Sequence, residues 1–209
     1  MNLNIELISG DVNQVDGIDF LLIGHKNPLR EQIRRETDAS FKIMDSESWM
    51  FPHQYELLEA PVYKWKQVAA IKFRANGKIS ETQFVRISSP ITTALKQPSI
   101  ESIGILPPTW RNPRYCALGV IYSLWIIGYA HVSSKRLMRK LFFPSPARVQ
   151  FKIISQTGIE YFEEVLKDDC HLLWKFVKEL CEKRKDDSLF YPYKQFQRMN
   201  VTFNVSKIK

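Results

Sequence analysis

Apolar positions fall into short blocks separated by turn residues, and the spacing changes along the chain. Ile5, Leu7 and Ile8 give a strand-like start, broken at Gly10-Asp11. Residues 18–24 (IDFLLIG) are almost wholly apolar, the pattern of a central strand covered on both faces. Pro28 then opens a helical stretch, PLREQIRRET, with Asn27 as N-cap and a thin apolar face of Leu29 and Ile33. Residues 41–61, with Trp49, Phe51, Pro52 and Pro61, read as irregular. Residues 62–74 and 78–87 read as two strands joined by Asn76-Gly77, a strong hairpin signal. Ser88-Ser89-Pro90 supplies a cap and first turn for a short helix, ITTALKQ.

The second half repeats the alternation of strand and helix. Residues 100–106 (IESIGIL) form a strand ended by Pro107-Pro108, and residues 148–155 (RVQFKIIS) form another. Between them, residues 115–134 contain no Asp, Glu, Lys or Arg. About 20 such residues can span a bilayer. Ser123, Tyr122, Tyr129 and His131 suit a buried helix better, and basic residues flank both sides. Residues 158–167 and 171–185 show amphipathic helical stripes. The tail, with Met199, Val201, Phe203 and Val205, fits an added edge strand. The whole predicts an α/β fold with a mixed β-sheet flanked by helices. Residues 1–209 form one domain with a helix-strand extension from about 168, and residues 18–24, 100–106 and 148–155 are interior strands.

Composition narrows the partners. A net charge of +8 favours anions: nucleotides, nucleic acid, acidic proteins or anionic lipid. The three cysteines, Cys116, Cys170 and Cys181, are far apart and odd in number, so they read as reduced thiols in a cytoplasmic protein. The amino terminus reads as a strand rather than a signal peptide. There is no zinc-ligand spacing, no Walker A loop, no GxSxG and no GxGxxG. No cofactor is indicated, and no residue stands out as catalytic.

Three segments resemble the macro domain family: IELISGDVNQVDGIDFLLIGHKN, SPITTALKQPSIESIGILPP and RVQFKIISQTGIEYFEEVL. They occur in the family's order and cover roughly two thirds of the chain. The resemblance implies a three-layer arrangement and an ADP-ribose-type ligand. It assigns Asp11, of the Gly-Asp turn, to the adenine amino group, and places Asn27 near the second position of the family's Asn-rich loop. Two departures matter. The glycine-rich phosphate loop is absent, with Ile23-Gly24-His25-Lys26-Asn27 running directly into Pro28, and the second loop is replaced by Pro107-Pro108-Thr109-Trp110-Arg111. Glycine dominates such loops because side chains keep backbone amides away from a pyrophosphate. Little or no hydrolase activity is therefore expected.

The expected ligand site is a cleft at the C-terminal ends of the strands, built from Asp11, Gly24, His25, Lys26, Asn27, Pro108, Thr109, Trp110 and Arg111. His25 and Lys26 bring protons and charge, Trp110 a stacking face and Arg111 a bidentate phosphate donor. Each also has a plainer role: a turn cap for Asp11, a strand-end histidine, a solvated lysine, an aromatic loop anchor. Two other function classes stand beside nucleotide binding. One is a nucleic-acid-binding or protein-interaction domain with no nucleotide ligand. The other, disfavoured, is a membrane-associated protein using residues 115–134.

Overall fold

The computed structural model describes residues 2–37, 40–45, 54–59, 61–72, 82–107, 149–155 and 200–208. In chain order these contain β1 (Asn2–Ser9), β2 (Phe20–Gly24), α1 (Pro28–Thr37), β3 (Lys42–Asp45), β4 (Gln54–Leu58), β5 (Gln67–Ile71), α2 (Thr82–Leu95), β6 (Ser102–Leu106), β7 (Gln150–Ser155) and β8 (Asn200–Lys207). All eight strands join one sheet in the order β3-β4-β5-β2-β6-β7-β1-β8. The run from β5 to β8 is parallel, whereas β4 is antiparallel to both β5 and β3. The fold is therefore α/β with a mixed sheet, and the three short apolar segments are interior strands.

The two helices cover opposite faces. Leu29 and Ile33 of α1 pack with Leu21, Ile23, Val68, Ala70 and Leu58, which share one side of β2, β5 and β4. Successive side chains of a strand alternate sides, so Tyr55 of β4 belongs to the other. There its hydroxyl lies 2.9 Å from Thr93 Oγ1 of α2. This division follows from connection handedness. The chain leaves β2 through α1 toward β5 on one side, then returns through α2 across β2 to β6 on the other.

Three expectations need correction. The second strand of the Asn76-Gly77 hairpin does not form, because Thr82–Leu95 is helical. Ile87, Ile91, Ala94 and Leu95 are all buried, at offsets of 4, 7 and 8, which is one helical face. Ser88-Ser89-Pro90 is not a cap but lies inside this helix. Pro90 removes one helical N–H bond. Thr92 and Thr93 hydroxyls donate to the carbonyls of Ser88 and Ser89 around it, at 2.8 and 3.3 Å. Finally, the region read as irregular contains β3 and β4, and these supply the antiparallel part of the sheet. Asn76-Gly77 itself, residues 115–134 and the two amphipathic helices lie outside the described residues. Among those described, no helix is long and apolar enough to cross a membrane.

Gly104 shows how tightly the α1-side layer fits. It sits mid-strand in β6, where glycine weakens a strand unless something approaches closely. A Cβ there would lie 2.8 Å from Ile18 Cδ1 and 2.9 Å from Ile18 Cγ2. Ile18 is buried and β-branched, so its Cγ2 has little room to retreat. Gly104→Ala is expected to cost about 1–3 kcal/mol, the usual scale of overpacking. Ile18→Ala in the same chain should relieve much of it. Urea denaturation of both single variants and the double variant measures the coupling, and strictly additive costs would refute this account.

Candidate functional site

The C-terminal ends of the parallel strands form one rim, and β2 lies second along it, between β5 and β6. At Gly24 the chain turns: Asn27 N donates to Gly24 O at 2.8 Å, and His25 N extends the pairing with β5 by donating to Ile71 O at 2.7 Å. Asn27 caps α1 as its residue type predicts, its Oδ1 accepting from Leu29 N at 2.9 Å. The α1 N-terminus therefore lies at the rim beside His25 and Lys26, with its first-turn N–H groups already engaged: Pro28 has none, and those of Leu29 and Arg30 donate to Asn27 Oδ1 and Asn27 O at 2.9 and 3.0 Å.

Beneath them lies a cluster that the sequence alone did not reveal. Glu56 of β4 shares the sheet face that carries α1. Its two oxygens accept from Arg30: Nε to Oε2 at 2.7 Å and Nη2 to Oε1 at 3.1 Å. His25 Nε2 lies 3.2 Å from the same Oε1. Arg30 also donates from Nη1 to Glu31 at 2.7 Å, and its guanidinium stands 5.4 Å from the centre of the Phe41 ring. The Arg30 and Glu56 side chains are 12% and 18% exposed, so water screens this pair weakly, while His25 at 30% still reaches solvent. The three residues stand 26 and 31 positions apart in sequence, and only the crossing of α1 over β5 and β4 brings them together.

Asp11 lies on the same rim but not beside this cluster. It caps a single 3-10 turn, Val12–Gln14, with Oδ1 accepting from Asn13 N at 2.9 Å. β6 and β7 separate β1 from β2. At about 4.8 Å per interstrand step, the strand ends are about 14 Å apart. The structure thus places Gly24, His25, Lys26 and Asn27 together, with Asp11 further along the rim. Pro108, Thr109, Trp110 and Arg111 lie outside the described residues. No group of three or more His, Cys, Asp or Glu side chains suited to a metal ion occurs among the described residues.

No family model and no curated protein matches the sequence. Among solved structures, the chain is similar to a mutant of tomato leucine aminopeptidase at 14% identity and a TM-score of 0.46, over 84% of this chain and 38% of that one. The chain therefore spans 38% of the length of that aminopeptidase.

Proposed function

We propose that this protein is a divergent macro-like domain that binds ADP-ribose or a related nucleotide at the rim of β2 and β5, with little or no hydrolase activity. The observation that carries the reading is topological. The connection leaving β2 runs over one face of the sheet, and the connection leaving β5 runs over the other. Such a divergence opens a crevice at the strand ends, where open α/β sheets bind ligands. His25, Lys26 and the α1 N-terminus border it; the Lys26 ammonium and the positive end of the α1 dipole favour an anion there. Asp11 would meet the opposite end of an extended ligand, in keeping with the adenine role that the family resemblance implies.

Calorimetric titration with ADP-ribose tests the proposal. The wild-type chain is expected to bind. Lys26→Ala, which removes an exposed side chain, should weaken binding by about 1.5–3 kcal/mol, the scale of a hydrogen bond to a charged group. Asp11→Ala should weaken it independently. Full affinity in both variants would move the site elsewhere. Absence of binding to ADP-ribose or any other nucleotide would favour an interaction module that uses the net charge of +8 to hold nucleic acid or an acidic protein.

A further inference from the structure

Glu56 has a chemical consequence for what His25 can do at the rim. Both of its carboxylate oxygens already accept N–H groups from Arg30. An oxygen so engaged can only accept again, so His25 Nε2, 3.2 Å away, must carry the hydrogen. In the neutral ring the other nitrogen, Nδ1, is then a lone pair with no hydrogen to give. Nδ1 makes no hydrogen bond among the described residues, and the side chain is 30% exposed. Among the described residues, Glu56 on β4 meets the ring directly and Arg30 on α1 meets Glu56; Lys26 is next in sequence, Lys72 follows Ile71, whose carbonyl accepts from His25 N, and Arg86 on α2 donates to the Lys72 carbonyl at 3.3 Å.

We infer that His25 is a proton-coupled anion ligand: neutral, it turns a lone pair toward the rim and disfavours phosphate, and protonated, it donates Nδ1–H to a phosphate oxygen while Nε2–H stays on Glu56. The inference rests on the rim reading above and names the chemistry of its phosphate end. Ligand binding then takes up a proton. The proton comes from solvent, and no covalent bond of the ligand is made or broken. Affinity is therefore higher in acid than in base. Glu56 acts as a positioning residue, since it fixes which ring nitrogen is available.

ADP-ribose is the probe, because its diphosphate keeps the same charge across the pH range tested. Titrations at pH 7 in two buffers of different ionisation enthalpy should show uptake of a fraction of a proton per ligand. Affinity should be at least about tenfold higher at pH 5.5 than at pH 8, and His25→Gln should abolish both effects while leaving weak, pH-independent binding. Nitrogen-15 spectra of the ligand-free wild-type protein should show the Nε2–H tautomer of His25. Binding without proton uptake, or an Nδ1–H tautomer, would overturn the inference and leave the rim proposal standing. No binding of ADP-ribose at any pH would overturn both.

Discussion

Replacing Glu56 by alanine is expected to lower the unfolding free energy by about 3 kcal/mol. The size follows from what remains. Arg30 is 12% exposed, and the substitution leaves two of its donors, Nε and Nη2, facing no acceptor. Removing one partner of a buried ion pair typically costs about 3–5 kcal/mol, mostly the penalty of an uncompensated charge. The lower figure applies because the pair is only part-buried, Glu31 still takes Nη1, and the cation still faces Phe41. Glu56→Leu combined with Arg30→Leu should recover part of the loss, since a matched apolar pair needs no counter-charge. Urea denaturation of the three variants decides the matter. A loss below about 1 kcal/mol for Glu56→Ala would mean the pair behaves as an exposed surface bridge.

At the opposite rim, Asp19→Asn should cost about 1 kcal/mol at neutral pH, the net scale of one hydrogen bond, and much less in acid. Asp19 ties the start of β2 to its neighbours. Its carboxylate accepts from Lys66 Nζ at 2.8 Å and from the backbone N–H groups of Glu101 and Ser102 at 2.8 and 3.2 Å. Burial works against ionisation here, but the Lys66 ammonium and the two backbone donors outweigh it and hold the carboxyl below the usual aspartate range. A carboxyl with a depressed native pKa stabilises the fold fully above its unfolded value, and that contribution disappears as pH falls through the native value. Wild type should therefore lose stability below about pH 4, and the Asn variant should lack that part of the decline. Chemical denaturation at pH 7 and pH 3 compares them. An equal gap between the two proteins at both pH values would show that the Asp19 charge contributes nothing.

Legibility in the sequence tracked how local each cause was. β2 and β6 were visible because a strand buried on both faces is apolar almost throughout, and β7 because buried Phe151 and Ile153 alternate with Gln150 and Lys152. Asn27 and Pro28 announced α1 because capping is settled within a few residues. β8 was visible from alternation alone. β4 was missed because it is only five residues long and carries Gln54 and Glu56, residues with poor strand preference that its neighbours make tolerable. The second half of α2 was visible as ITTALKQ, but its first half was read as a strand because β-branched residues and Pro90 argue locally against a helix, and burial of Ile87, Ile91 and Leu95 overrides them. The candidate site divides the same way. His25 and Lys26 were marked by standing at the end of a central strand. Glu56, which orients one of them, carried no local signal, because its partners arrive from α1 and the β2 turn.

The position of β1 also governs the order in which the molecule can be assembled. Its two neighbours in the sheet are the last two described strands: Ile5 lies opposite Phe151 on one side and Phe203 on the other. During synthesis, Ile5, Leu7 and Ile8, all buried in the finished protein, emerge long before residues 150–155, and β1 lacks both of its sheet partners until those have been made. Pairings of such sequence separation close slowly, and unpaired apolar edges are the usual seeds of aggregation. β1 thus waits as an adhesive segment while the residues up to β7 are made, and the yield of folded protein depends on whatever shields it from other nascent chains in that interval.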